Sequence, residues 1–269
     1  MLRYCSVKEK LSDRMCTDKS MDILPECSSV SRRKMITKKE ILDAIHGKMI
    51  ISCQAVKGEP LYVEEKSIMY LMARAAKQAG TPAIRTSSIR DVIAIKEETG
   101  LPVIGLVKIQ YPGYEGYITP TMKEVDDLVA AGSDIVALDC TLRKRGDGTT
   151  VNEFVARIKE KYPDIILMAD ISNYEEGINA WKCGVDIVGT TMSGYTAYTS
   201  SVSDGPDYEL MERLSRDINI PVIGEGRIHY PDQAVKALQT GAWAIVVGGA
   251  ITRPLEIAMR FQNAIKESR

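Results

Sequence analysis

A (β/α)8 barrel of the TIM type is the fold this sequence predicts, and three observations carry it. From residue 49 onward, eight short apolar, β-rich runs alternate with longer amphipathic segments, at roughly 25–30 residues per pair. A junction recurs in which a helix end, a glycine and a buried strand follow one another. The last two apolar runs, IPVIGEGRI at 220–228 and AWAIVVGGAITRP at 242–254, each stop at glycine and then turn polar. Two such ends in tandem fit the loops after strands seven and eight of a barrel, where a phosphate is held. A length of 269 residues suits one domain of this kind.

The elements follow in order. Thr37 stands before ITKKEILDAIHGK's helical pattern as N-cap, with Glu40 at the capping-box position. Strands are predicted at 49–54, 83–85, 103–108, 135–139, 165–170, 187–189, 222–225 and 245–248. Their near-continuous apolar character is expected of parallel strands covered on both faces. The first crossover helix shows apolar spacing of three and four at Ile68, Leu71, Met72, Ala75, Ala76 and Ala79. AAGSDIVALD, KCGVDIVGT and QTGAWAIVVGG repeat the helix–glycine–strand junction. TGLPVIGLVK and INIPVIGEGR bring proline into a strand where no ladder N–H is needed. A helix over 231–240 separates the last two strands and makes them parallel neighbours. A doubly wound open sheet is the alternative, but no G-x-G-x-x-G follows the first strand.

Bulk properties narrow the function. With 35 basic and 36 acidic residues, the chain makes no overall electrostatic case for nucleic acid or an anionic membrane. No apolar run approaches the roughly 18 residues of a membrane span. The six cysteines form no CxxC pair, which favours free thiols in a reducing cytoplasm. His46 and His229 are the only histidines, too few for a multi-histidine metal centre. Residues 1–36 lack sustained periodicity and an apolar signal core, and Glu9, Asp13, Asp18, Asp22 and Glu26 are at odds with a transit peptide. They read as a disordered extension or an upstream start-site artefact, with 37–269 as the single barrel domain.

Chemistry in a barrel sits at the carboxyl ends of strands. The polar residues there are Gln54, Arg85, Lys108, Asp139, Asp170, Thr190, Thr191, Glu225 and Arg253. Buried charge is costly unless paired, so this many polar ends describe a lined pocket better than a core. A lysine desolvated in a barrel mouth has its pKa lowered and can serve as a base or Schiff-base nucleophile, which singles out Lys108. Glu225 and Asp170 are its natural carboxylate partners. Amides at Gly226, Arg227, Gly248 and Gly249, together with the Arg253 guanidinium, suit a phosphate. Arg85 is placed for phosphate or a sugar oxygen. Asp139 is ambiguous, because the basic run Arg143, Lys144 and Arg145 can pair with it in a loop network, and such a run is more often solvated than functional. Two long polar loops, QYPGYEGYITPT at 110–121 and TTMSGYTAYTSSVSDGP at 190–206, carry hydroxyls suited to a polyhydroxylated ligand and a water-excluding lid.

At these positions the chain resembles the N-acetylmannosamine-6-phosphate 2-epimerase family. The shared pieces run in order from SCQAVKGEPL (52–61) through AIRT, IGLVK, GYITPTMKEVD, ALDCTLRKR, MADISNYEEG, GTTMSGYTAY and GEGRI to VVGGAITRP (246–254). Ala197 and Gly146 stand where the family usually has proline. The resemblance implies interconversion of N-acetylmannosamine 6-phosphate and N-acetylglucosamine 6-phosphate by C2 proton transfer. It implies Lys108 as catalytic base and Glu225 as active-site acid, with Gln54, Arg85 and Asp170 on the sugar and Arg253 and the nearby glycines on the phosphate. It also implies no metal and no organic cofactor, a cytoplasmic enzyme of amino-sugar catabolism, and a homodimer. The final helix, with Leu255, Ile257, Ala258, Met259, Phe261 and Ile265, can pack on its own barrel or on a partner. A lysine-imine aldolase and a catalytically silent phosphosugar sensor remain open alternatives.

Overall fold

A computed structural model describes residues 36–145, 147–200 and 205–269. The expectations for residues 1–35 and for Gly146 lie outside the described residues. Eight parallel strands close in sequence order, β1 (Met49–Ser52), β2 (Ile84–Ser87), β3 (Val103–Leu106), β4 (Ile135–Asp139), β5 (Ile166–Asp170), β6 (Ile187–Gly189), β7 (Val222–Glu225) and β8 (Ala244–Val247). Closure is direct: Met49, Ile50 and Ile51 of β1 register with Ile245, Val246 and Val247 of β8. The chain is therefore a (β/α)8 barrel, as its alternating pattern predicts.

Helix α1 (Lys38–Ile45) precedes the barrel. Its capping box is formed, with the Thr37 N–H donating to Glu40 Oε2 at 2.8 Å and the Glu40 N–H returning to Thr37 Oγ1 at 3.2 Å. Ile41 and Ile45 join the inner cluster with Ile50, Ile104, Ile135 and Ile166, so α1 packs against the barrel interior. His46 stacks on Trp243 at 3.9 Å, and the Trp243 indole N–H donates to the Leu42 carbonyl at 2.9 Å. One of the two histidines is thus structural.

The crossover helices are α2 (Met69–Gln78), α3 (Ile89–Thr99), α4 (Met122–Ala130), α5 (Val151–Lys161), α6 (Tyr174–Lys182), α7 (Tyr208–Asp217) and α8 (Pro231–Gln239), and α9 (Pro254–Glu267) ends the chain. Gly132, Gly184 and Gly241 all adopt left-handed φ between α4, α6 or α8 and the strand that follows, the conformation glycine reaches without a Cβ penalty. Pro102 and Pro221 lend their carbonyls to the Ile84 and Val188 N–H groups, so each enters its strand as an acceptor only.

Two expectations are corrected. Helix α2 buries Met69, Ala73 and Ala76, while Leu71 is exposed. The alanine-rich segment has apolar residues almost all round, and the small Ala73 and Ala76 allow the closer approach to the cluster that holds Val92 and Ile95. The second correction concerns the end of β3. The loop at 110–121 is the far arm of an excursion that re-enters the barrel mouth: Lys108 forms an antiparallel bridge with Ile118, and the Thr119 N–H donates to the Val107 carbonyl at 2.7 Å. Ile118 and Thr119 are buried. This bridge also explains why β3 ends at Leu106, two residues before its expected end. For the final helix, where both packing on the barrel and packing on a partner are open from sequence, α9 buries no residue against its own barrel. Among the described residues, no helix is long and apolar enough to cross a membrane.

Candidate active site

The carboxyl ends of the strands open into a cavity of about 300 Å³. Its floor is charged. Arg85, from β2, is sealed from solvent and places Nη2 2.6 Å from Asp170 Oδ2 of β5 and Nε 3.3 Å from Glu225 Oε1 of β7. Two carboxylates thus share one guanidinium, the condition under which a buried arginine is tolerated. Thr191 sits between the same acids, with Oγ1 2.6 Å from Asp170 Oδ1 and 3.1 Å from Glu225 Oε2. A hydroxyl has one proton to give, so Thr191 can donate fully to only one of the two acids at a time. Burial pushes the Glu225 carboxyl above its ordinary range, Asp170 adds to the rise, and Arg85 opposes it. The end of β7 is pinned to the loop after β6: Thr190 Oγ1 donates to the Glu225 carbonyl at 2.9 Å and accepts its N–H at 3.0 Å.

Lys108 projects from the foot of the 107–119 excursion into this cavity. Desolvation, then the neighbouring Arg253 and Arg85, bring its ammonium down from the ordinary 10.5 to about 8, against the pull of Glu225 and Glu59. A useful fraction of neutral amine therefore exists near neutral pH. Gln54, a wall residue, donates its amide to Ser52 Oγ at 2.8 Å, while its carbonyl oxygen is buried without a protein partner. Such an acceptor is costly unless a ligand completes it.

The opposite end of the cavity is bounded by the turns after β7 and β8. Gly226 and Arg227 take φ of +114° and +53° in succession, a reversal that only glycine makes without strain at its first position. Arg227 is held by its Nε–H donating to the Gly205 carbonyl at 2.9 Å. Gly248 and Gly249 open the turn to Arg253, the N-cap of α9. The Arg253 guanidinium lies 2.9 Å from Glu256 and 3.2 Å from Glu59.

Of the residues singled out from sequence, Gln54, Arg85, Lys108, Glu225, Gly226, Arg227, Gly248, Gly249 and Arg253 all border this one cavity. Asp170 does not. It is completely buried behind the wall and acts on the cavity through Arg85 and Thr191. Asp139 also stands outside, salt-bridged to Arg143 at 2.6 Å and bonded to Thr141, which resolves its ambiguity in favour of a loop network. The basic run is less solvated than expected, since Arg145 is buried over the Phe154 ring. Sequence reasoning missed Ser52, His229 and Glu256 as wall residues. His229 follows Gly226 in the same turn and Glu256 lies one helical turn beyond Arg253, so proximity to the glycines was the available signal. Among the described residues, no group of three or more His, Cys, Asp or Glu is placed to hold a metal ion.

A closed parallel barrel whose charged cavity opens at the strand carboxyl ends defines a (β/α)8-barrel enzyme of small-molecule chemistry. Residues 69–267 match the family described as "Putative N-acetylmannosamine-6-phosphate epimerase", and the chain belongs to that family. A relative from Caldanaerobacter subterraneus, described as a putative N-acetylmannosamine-6-phosphate 2-epimerase, is 55% identical over 230 residues, covering 86% of this chain and 96% of the relative. A Clostridium perfringens relative of the same description is 50% identical over 226 residues, 84% of this chain and 100% of its own. The solved N-acetylmannosamine-6-phosphate 2-epimerase from Clostridium perfringens superimposes with a TM-score of 0.79 at 49% identity, covering 83% of this chain and 96% of that one.

Proposed function

We propose that this chain interconverts N-acetylmannosamine 6-phosphate and N-acetylglucosamine 6-phosphate, with Lys108 removing the C2 proton. The observation that carries the reading is a lysine lowered to about 8, set beside a buried arginine and a carboxyl held above its ordinary range, in a cavity of about 300 Å³.

The two sugars differ only at C2. In the open-chain aldehyde, the C1 carbonyl acidifies the C2–H bond. Neutral Lys108 takes that proton, and the bonding pair becomes the enolate C1=C2 bond, leaving negative charge on O1. The Arg85 cation, on the wall of the same cavity as Lys108, is a fixed positive charge that can receive it. Return of a proton to the opposite face of C2 gives the epimer. Glu225 holds the proton balance of this step, because its carboxyl is raised and in contact with Arg85 and Thr191. Asp170 is a positioning residue, orienting Arg85 and Thr191. The phosphoryl group lies at the Gly226, Arg227, Gly248, Gly249 and Arg253 end, where binding far from C2 supplies orientation without touching the reacting bond. Gln54 donates or accepts at a sugar oxygen.

Residues 37–269 form the working domain in this reading, and the enzyme is a cytoplasmic homodimer of amino-sugar catabolism. Two observations support those assignments. Leu255, Met259, Phe261 and Ile265 of α9 are 51%, 52%, 70% and 51% exposed, an apolar surface suited to a second copy. Cys53, Cys140 and Cys183 are free thiols.

Proton NMR of the protein with N-acetylmannosamine 6-phosphate in D2O and EDTA tests the reaction. The gluco epimer carrying deuterium at C2 is the expected product. Unchanged substrate with broadened signals would instead support the phosphosugar sensor, and covalent trapping by borohydride would support the aldolase.

A further inference from the structure

The end of the cavity assigned above to the phosphate contains an anion of its own. Glu256 lies in the first turn of α9, and its carboxylate rests on the open face of Gly249, where a β-carbon would overlap it. It also accepts from Arg253 Nη1 at 2.9 Å, while Glu59, from the β1–α2 connection, takes the second Arg253 nitrogen at 3.2 Å. The other charged groups on this cavity are Arg85, Lys108, Glu225 and Arg227, and from α9 Arg260 reaches in, with Nη2 3.3 Å from the Gly249 carbonyl and Nη1 3.3 Å from Nδ1 of the wall residue His229. The guanidinium and glycine surface that an incoming phosphoryl group would use is thus already engaged by a carboxylate. Glu256 is half-exposed on a side chain with three rotatable bonds, so it can leave.

We propose that Glu256 is a resident anion of the phosphate cup, which holds Arg253 in position while the cup is empty and is displaced when a phosphoryl dianion enters. This rests on the phosphate position given above. The exchange makes Glu256 a specificity-determining residue. A dianion with three acceptor oxygens offsets the cost of displacement with more and stronger contacts than the carboxylate made, whereas carboxylates and singly charged anions must displace it with fewer or weaker ones. Glu59 differs from Glu256 in one respect that matters here: it neutralises Arg253 without standing over Gly249.

The test compares wild type with Glu256→Gln and Glu59→Gln, using inorganic phosphate and sulfate as competitive inhibitors of C2 deuterium exchange. Removing the resident anion should lower the phosphate and sulfate inhibition constants together, by at least about tenfold in E256Q, with the sugar-phosphate KM also falling. E59Q should move the same constants by no more than about twofold. Equal effects in the two variants would mean a general field effect and overturn the proposal. So would a raised KM with unchanged phosphate inhibition in E256Q, the mark of a fixed support for Arg253. If phosphate competes with the sugar phosphate in neither wild type nor E256Q, the phosphate position itself is wrong; competition in wild type that E256Q leaves unstrengthened defeats only the resident-anion proposal.

Discussion

Arg85 and Asp170 meet inside the barrel at 2.6 Å, with 1% and 0% of their side chains exposed. They come from β2 and β5, which are not neighbours in the sheet, so the pair spans the interior rather than lying along one ladder. Core and active site are the same layer here. Replacing Arg85 with leucine leaves two buried carboxylates without a counter-charge, and loss of one partner of a buried pair costs about 3–5 kcal/mol. Urea unfolding at pH 7 should show that loss, alongside abolished exchange. A neutral stability change would mean that water reaches the acids.

The lowered Lys108 pKa sets a pH dependence. The neutral amine is the active form, so kcat/KM should rise with unit slope below about pH 8 and level off above it. Lys108→Ala should reduce C2 exchange by about 10²–10⁴-fold or more while leaving ligand binding measurable. Near-normal exchange in that variant would remove Lys108 from the mechanism.

The same shift bears on stability. Its folded pKa, about 8, lies below the ordinary 10.5, so the folded state binds fewer protons between those values and stability rises with pH across that window. Lys108→Met should therefore be more stable than wild type at pH 7, by about 1–3 kcal/mol, with the advantage fading from pH 8 to 10.5. Paired denaturant melts at pH 7 and 10 check the sign.

Glu225 raises the Lys108 pKa, so Glu225→Gln should move the rising limb of the kcat/KM profile to lower pH. The plateau should drop by about 10²-fold or more at the same time. A lowered plateau with the limb unmoved would separate Glu225 from the lysine electrostatically.

Gly177 lies within α6, where alanine ordinarily stabilises by about 1 kcal/mol. A β-carbon there would come 2.6 and 2.9 Å from the Leu214 methyls of α7. Overpacking of this kind costs about 1–3 kcal/mol, so Gly177→Ala should be net destabilising, by up to about 2 kcal/mol. Thermal unfolding decides the sign.

Strands and most wall residues were legible because both depend on local pattern: an apolar run, its period and the polar residue that stops it. What was not legible depends on direction and non-local contact. Asp170 and Glu225 look alike at the ends of their strands, yet one is sealed behind the wall and the other borders the cavity. Each is the last residue of its strand, so no following residue fixes the alternation that would tell one direction from the other. In α2 the apolar residues run round the helix, so which stripe is buried was left to packing against α3. The sequence at 110–121 carries glycines, tyrosines and prolines like a surface loop, but Thr119 is buried because its hydroxyl donates to the Ala137 carbonyl at 2.6 Å, a partner 18 residues away. Glu256 reads as an ordinary first-turn acid of a helix until the turn after β8 is seen to lie beneath it.

The base of the 107–119 excursion has one further consequence. Its two feet are clasped by the Lys108–Ile118 bridge, by the Ile109 N–H on the Tyr117 carbonyl at 3.0 Å, and by the Thr119 N–H on Val107. Chain strung between clasped feet can change length at small cost, about 0.6 kcal/mol for each doubling. The tip, held near the surface by contacts such as Glu115 Oε2 with the Lys144 N–H at 2.9 Å, is free to drift or acquire insertions over evolutionary time while the lysine at its root keeps its place. Variation in what the barrel mouth admits is in this way uncoupled from variation in the group that does the chemistry.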